Sequence, residues 1–386
     1  MHDAVAILGM ARTPIGRFGG KLKDVPAIDL GATAAQCAIE RSGVEPVQIE
    51  RLVAGENIQV TPRGNPARQV LLKSGLPVTA SDYAVNMNCA SGLRAMTCLA
   101  GDLLLGDVEF GVAVGMENMS RTPYLVEKLR WGGRLGNIDA VDFLADYILG
   151  DAGPMAEKVA RSYRISRDRQ DAFAVESQRR AQAAITGGLF ASDIVSVDVG
   201  DGVSQDEHPR PDVTAEALGR LAPAFSADGT VTAGNSSGIN DGAAAVVLTG
   251  LSTAEQRGLR PRAILRDWVS AGVDPTMFGI GPVPAVMELL RRNGLRMADI
   301  DLVELNEAFA SSTLAVMEDL DLDPERTNVN GGAIALGHPV GATGLVLAIK
   351  LVAELERTKQ RYAIATMCVG NGQGMAVLLE SLAARS

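Results

Sequence analysis

The sequence is short of several residue types, and each shortage removes a class of function. It holds three histidines and four cysteines. Cys37, Cys89, Cys98 and Cys368 form no C-x-x-C pair and have no histidine at ligand spacing. A zinc site and a disulfide scaffold are therefore poor readings, and a reducing compartment fits best. Aromatic residues make up 4% of the chain, which argues for tight packing of Gly and Ala rather than for aromatic stacking platforms. No apolar run approaches the ~18 residues of a spanning helix. The opening MHDAVAILGMARTPIG lacks the basic segment, apolar core and small-residue cleavage site of a secretory signal. A formal net charge of −10 speaks against nucleic-acid or membrane-surface partners, so an anionic ligand would need a local basic patch. The expectation is a cytoplasmic protein.

What is present is a chain of 386 residues, 47% hydrophobic and 21% charged, long enough for two or three domains. AVAIL (4–8) and RLVAG (51–55) read as strands, and DLGATAAQCAIERSG (29–43) between them as a helix closed by glycine. This alternation predicts a layered α/β fold. The chain also contains itself twice. AIERSGVEPVQIERLV (38–53) matches LLRRNGLRMADIDLVE (289–304), and AVNMNCASG (84–92) matches NVNGGAIAL (328–336). Each half then enters an apolar helix, at 92–106 and 344–356, followed by an apolar strand. We read a duplicated βαβ-type half. The first half alone detours before DGAAAVVLTG (241–250) resumes strand character. The expected divisions are 1–118 completed by 241–252, an inserted substrate-covering domain at 119–240 with an amphipathic helical stretch over 161–188, and a second half at 253–386.

Among the histidines, His2 lies at the terminus and His208 in a polar, proline-rich loop where it is expected to be solvated. His338 differs: it stands in GGAIALGHPVGATG (331–344), a glycine-rich turn before a buried helix. Cys37 and Cys98 read as small core residues on helical faces. Cys89, in NMNCASGLRA, lies at a strand-to-helix junction where free amides and the helix dipole favour the thiolate. Cys368 ends a strand and opens CVGNGQG. By the repeat, Cys89 and His338 hold corresponding junctions, and Cys368 and Glu117 lie near the ends of corresponding strands. Halves related in this way bring Cys89, His338 and Cys368 to one site. A nucleophilic thiolate, a histidine to take its proton and a second thiol make a covalent acyl-transfer set. The glycines then read as bare backbone against which an acyl group and its carrier can lie.

These segments, together with ARTPIGRFGG (11–20), GMENMS (115–120), GTVTAGNSSGINDGAAA (229–245) and NEAFA (306–310), resemble the thiolases along essentially the whole chain. The resemblance implies an α/β fold of thiolase-like duplicated βαβαβ halves in a layered αβαβα core with an inserted loop domain. It implies reversible acyl transfer between CoA thioesters, with coenzyme A as substrate and product, no other cofactor and no metal. It places the chain in fatty acid metabolism as a homodimer or homotetramer. Carried over residue by residue, Cys89 matches the acylated nucleophile, His338 its base and Cys368 the second acid/base. Asn306 matches the residue orienting a water in one oxyanion hole, while the amides of Cys89 and Gly370 form the other. Asn306 and Glu307 also stand where they could cap the helix they open. For CoA, Ser237 matches a contact to the pantetheine arm, Phe225, Ala233, Ala308 and Phe309 the walls of its tunnel, and Arg210 a basic residue at the nucleotide end. Arg210 reads equally as a surface arginine.

The chain departs from the family pattern at Asp151 and Ala152, where histidine and a bulky methionine often line the acyl pocket, and at Asn371 and Gln373, where glycine and methionine are usual. Ser236 replaces a common alanine. Two other readings compete. Ketoacyl synthases share the duplicated fold but pair their cysteine with two histidines, for which this chain lacks candidates. A non-catalytic, thiolase-like CoA-binding or partner subunit is the other, against which the intact Cys89, His338 and Cys368 speak.

Overall fold

Apolar strands alternating with helices lead to layers, because each strand has two faces to cover. The computed structural model describes residues 4–60, 63–127, 129–133, 136, 139–200 and 202–382, without the side chain of residue 147. The first half supplies β1 (Val5–Arg12), β2 (Arg51–Gly55), β3 (Ser81–Val85), β4 (Phe110–Asn118) and β5 (Asn240–Gly250). The second supplies β6 (Ala263–Gly272), β7 (Leu302–Leu305), β8 (Tyr362–Val369) and β9 (Gln373–Ser381). Their order is β7-β8-β9-β6-β1-β5-β4-β2-β3.

The duplication is visible in the pairing. β2 runs parallel to β3 and β4, and β5 lies antiparallel to β4 and β1. In the second half β7 runs parallel to β8, and β9 lies antiparallel to β8 and β6. The counterpart of β3 is reduced to one parallel bridge between Val303 and Thr327. Val5–Ile7 against Ala263–Leu265 joins the halves edge to edge. The principal helices are α1 (Ala27–Ser42), α2 (Ser91–Leu105), α3 (Ala152–Ser162), α4 (Arg167–Thr186), α5 (Pro282–Asn293), α6 (Ala310–Leu320) and α7 (Val340–Thr358). Gly43, at φ 74°, ends α1 where the sequence places the stop.

Alternating side chains sort the layers. Val112, Val114 and Met116 of β4 pack with Leu30, Ala34 and Ala38 of α1. Ala113, on the other face, joins Leu93 and Met96 of α2 and Leu345 and Ile349 of α7. The same two helices meet Ala363, Ala365, Val377 and Leu379 from β8 and β9. Beyond that sheet, Ile364 and Leu378 pack with Leu289 of α5 and Val316 of α6. The result is helix, sheet, paired helices, sheet, helix. Strands covered on both faces show no polar alternation, as in the wholly buried stretch Asn240–Thr249 of β5.

Two sequence readings need correction. The match of 84–92 to 328–336 is out of register at its end, because a one-turn helix, Ala333–Leu336, precedes His338. The halves align instead at α2 and α7, with Cys89 and His338 each just ahead of the helix. The stretch 161–188 is not one helix. It breaks after α3 at Arg164, at φ 56°, and restarts at Ser166, whose hydroxyl accepts the Arg169 amide. Within the insertion, Tyr124–Val126 pairs with Ala140–Asp142, α3 packs on α6, and α4 packs on the one-turn helix.

Two carboxyls are buried between the halves. Glu117 accepts the amides of Asn57 at 3.0 Å, Ile58 at 3.1 Å and Gly341 at 3.0 Å, and burial pushes it up to about 7. Glu56 is pushed up to about 9 by burial and then by the charge of Glu117, and its Oε2 has no partner among the described residues. The unfolded carboxyl ionises near pH ~4.3. Across this window the folded chain holds the proton that the unfolded chain has released, so stability falls as pH rises. Glu56→Gln removes the share of that slope due to Glu56. Its melting temperature should match the wild type near pH 4 and exceed it at pH 8, by about 1 °C for each kcal/mol relieved. An equal difference at both pH values would contradict this account.

Candidate active site

The chain turns between β3 and α2 through Asn86–Ala90. The Ala90 amide donates to the Met87 carbonyl and the Ser91 amide to that of Asn88, both at 3.0 Å, while the Ser91 hydroxyl bonds Asn88 at 2.7 Å. Asn88 sits at φ 46°, and its Nδ2 reaches across to donate to the Gly370 carbonyl at 3.0 Å. That bond ties the Cys89 loop to the loop after Cys368. The amides of Gly370 and of Cys89 itself lie near enough to the Cys89 sulfur to favour its thiolate. The expected lowering of the thiol by its helix does not prevail. Burial outweighs these amides and pushes Cys89 up to about 11, so it rests as a thiol and needs a base.

His338 is the candidate base. Asn240 Oδ1 accepts its amide at 2.8 Å, and Asn240 Nδ2 is fixed on the Gly16 carbonyl at 2.9 Å. The Thr343 hydroxyl donates to the Pro339 carbonyl at 2.9 Å, so its oxygen accepts from His338 Nδ1 at 2.6 Å. This leaves Nε2 unprotonated and 3.4 Å from Asn306 Nδ2. Burial lowers the imidazole to about 4, which makes it neutral near pH 7. The Asn306 amide donates to Thr366 at 3.0 Å, and its Oδ1 is buried without a partner among the described residues. Neither Asn306 nor Glu307 caps a helix, since α6 opens after Phe309. Glu307 instead accepts from Ser177, Asn328 and the Ile334 amide. Cys368 is buried beside Phe278 and Ala308, and burial, then the neighbouring Cys89, push its thiol far up.

Cys89, His338 and Gly370 line one cavity of about 180 Å³. Ser237, Ala308 and Phe309 form part of its wall, and Ile148, Leu149, Asp151, Ala152 and Met155 reach it from the insertion. The Ser237 amide donates to Ala308 at 2.9 Å, and Phe225 stands edge-on to Phe309 with centroids 6.2 Å apart. Phe225 is partly exposed; Ala233 and Arg210 lie on the surface away from this cavity, the Arg210 amide bonding Gln178 at 2.9 Å. His208 is not solvated as expected. It is half-buried against Gly238 and bonds the Ile334 backbone, and burial lowers it to about 4.

The glycines around His338 serve the protein rather than a ligand. A Cβ at Gly337, at φ 103°, would lie 2.6 Å from Asn240, and one at Gly344 would lie 2.7 Å from the Leu93 amide nitrogen. At Gly341 it would strike the Met116 carbonyl. Sequence reasoning passed over Thr343 and Asn240. Thr343 lies one helical turn past Pro339, whose carbonyl it bonds, so its link to His338 was open to inspection. Asn240 comes from a remote strand and gave no local signal.

The thiolase N-terminal domain family matches residues 5–252 and the thiolase C-terminal domain family residues 259–381. The chain belongs to the thiolase family. It is 46% identical to an acetyl-CoA acetyltransferase of Escherichia coli, over 97% of this chain and 98% of that one. It is 44% identical to the β-ketothiolase BktB of Cupriavidus necator, over 99% and 100%. The crystal structure of the Bacillus anthracis acetyl-CoA acetyltransferase superposes with a TM-score of 0.96 at 42% identity, covering 99% of each chain. That of human mitochondrial 3-ketoacyl-CoA thiolase in complex with CoA gives 0.95 at 39%, covering 98% of each. This thiolase is an enzyme of acyl transfer, and the reading as a non-catalytic partner subunit is set aside. Among the described residues no cluster of His, Cys, Asp or Glu is placed to hold a metal, and no helix is long and apolar enough to cross a membrane.

Because His338 stays neutral down to about pH 4, acylation of Cys89 should be nearly flat between pH 6 and 8, where an ordinary histidine would titrate. Thr343→Val removes the acceptor that fixes Nδ1–H. It should slow acylation about 10- to 100-fold, part of the ~10²–10⁴ that a general base supplies, while Thr343→Ser retains the rate. Rapid-quench mass spectrometry checks both. A rate falling tenfold from pH 7 to pH 6 would contradict the neutral base.

Proposed function

We propose that this thiolase works through an S-acyl intermediate on Cys89. The observation that carries the proposal is a neutral imidazole with an unprotonated Nε2 beside Asn306 Nδ2, in the same cavity as a thiol whose neighbouring amides favour the thiolate. As the Cys89 sulfur attacks a thioester carbonyl, His338 Nε2 takes the thiol proton and returns it to the departing CoA sulfur. The Cys89 and Gly370 amides hold the oxyanion. In the second half-reaction Cys368 passes its thiol proton to His338 Nε2, and its thiolate then takes a proton from the α-carbon of acetyl-CoA. The resulting carbanion attacks the acyl carbonyl, and the Cys89 sulfur leaves and takes the proton back from His338. His338 Nε2, reprotonated, and a water held by Asn306 receive the enolate oxygen, and the unpartnered Asn306 Oδ1 supports that role. In thiolysis Cys368 returns the proton to the α-carbon, and its raised proton affinity makes its thiolate the stronger base in the condensation direction.

The pantetheine arm passes Ser237, Ala308 and Phe309, with Phe225 behind Phe309 and Ala233 and Arg210 farther out toward the nucleotide. The same reading divides the chain into 1–118 with 241–252, a substrate-covering 119–240, and 253–386. It uses CoA thioesters without another cofactor, in fatty acid metabolism, as a homodimer or homotetramer. All four cysteines are free thiols, which supports a reducing, cytoplasmic setting.

Incubation with acetyl-CoA should add one acetyl group at Cys89, read by peptide mass spectrometry. Cys89→Ser should abolish turnover, because a hydroxyl of far higher pKa cannot replace the thiol. Cys368→Ser should still acetylate at Cys89 but lose condensation. Equal loss of both half-reactions in Cys368→Ser, or an acetyl group elsewhere, would contradict the roles.

A further inference from the structure

The wall of the cavity nearest the nucleophile is built from carboxamides. Asn88 precedes Cys89 in the chain, Asn371 follows Gly370, and Asn57 lies beyond the end of β2; all three line the cavity. The Asn57 carbonyl accepts Asn86 Nδ2 at 2.8 Å and its amide is held by Glu117 at 3.0 Å, so its backbone is fixed from both sides. The residue is 9% exposed, and its side chain hydrogen-bonds none of the described residues. The Asn371 carboxamide is likewise unengaged among them, and Asn88 keeps its Oδ1 free after giving Nδ2 to Gly370. Asn57 is the buried member of the three, Asn88 being half-buried and Asn371 exposed. A buried amide group left without a partner is destabilising, and a purely hydrocarbon acyl chain would take away the water that could satisfy it.

We propose that the acyl group this enzyme accepts on Cys89 carries a neutral hydrogen-bonding substituent, a hydroxyl being the simplest, and that Asn57 selects it. The proposal rests on Cys89 being the acylated residue. The apolar members of the wall, Ile148, Leu149 and Val340, take the hydrocarbon part of the same group. A carboxylate is excluded. Asp146 and Asp151 line this cavity, and no Lys or Arg among the described residues does. A site built to bond a hydroxyl rejects the analogue that lacks it more strongly than an apolar pocket rejects an added hydroxyl. Asn57 therefore discriminates by leaving its amide unpaired against a methyl group.

The test compares Cys89 acylation by butyryl-CoA, by 3-hydroxypropionyl-CoA, in which a hydroxyl replaces the terminal methyl, and by succinyl-CoA. The second-order rate constant is read by intact-protein mass spectrometry. We expect the hydroxylated group to react about tenfold faster than butyryl, and succinyl to react slowest. Asn57→Leu, which keeps the branched shape without the amide, should bring the hydroxyl-to-methyl ratio to one or below. Asn371→Gly, suited to its φ of 70°, should reduce the ratio in part. Butyryl reacting as fast as the hydroxylated group in the wild type overturns the proposal, and so does a succinyl preference or an unchanged ratio in a folded Asn57→Leu. If Asn57→Leu fails to fold, the wild-type ratio decides alone. No acyl group on Cys89 from any of the thioesters, acetyl-CoA included, would instead end the catalytic reading itself.

Discussion

Helices α2 and α7 touch backbone to backbone, and the reactive groups take their positions from that contact. A Cβ at Gly92 would lie 2.8 Å from the Gly341 carbonyl, and one at Gly344 would meet the Leu93 backbone. Only bare backbone permits the two helices to lie this close between two sheets. Cys89 and His338 stand just ahead of their helices, so the crossing that joins the halves also sets sulfur and imidazole in one cavity. Asn88 on Gly370 and Asn240 on His338 then fix the loops on either side.

The same enclosure sets the chemistry. Burial raises both thiols and lowers the imidazole, so sulfur and imidazole rest uncharged. Charge arises only when a thioester is present to receive it, beside amides already aimed at the sulfur. Thr343 makes the neutral histidine useful, because its oxygen holds the proton on Nδ1 and leaves Nε2 to act. The buried carboxyls behind α7 belong to the same economy of dry space: Glu117 holds the Gly341 amide, and Glu56 remains protonated beside it.

Much of this was legible in the residues. The repeated order of helix, glycine stop and strand revealed the two halves, because Gly43 and Gly294 take positive φ at equivalent helix ends. Cys89, His338 and Cys368 were legible because each sits where a strand or helix ends among small residues. The register of the repeat was not, since the one-turn helix before His338 looks like a continuation of the glycine loop. The purpose of the glycines was also hidden: a sequence shows that bare backbone is needed but not whether a ligand or another helix approaches it. The thiol's raised affinity for its proton escaped for a related reason, because a helix N-terminus is local while the depth of burial is a property of the whole fold. Asn57 stood in the sequence as an unremarked polar residue after a strand, and only the cavity gives it meaning.

The most direct test of the central contact is Gly344→Ala. The new methyl would lie 2.7 Å from the Leu93 amide nitrogen of α2, forcing α7 and the histidine ahead of it away from α2. Acetylation of Cys89 by acetyl-CoA, followed by mass spectrometry, should fall at least about a hundredfold, the lower range for losing a positioned general base. Acetylation of Gly344→Ala at the wild-type rate would show that the helices have room to spare, and that the site does not depend on their contact.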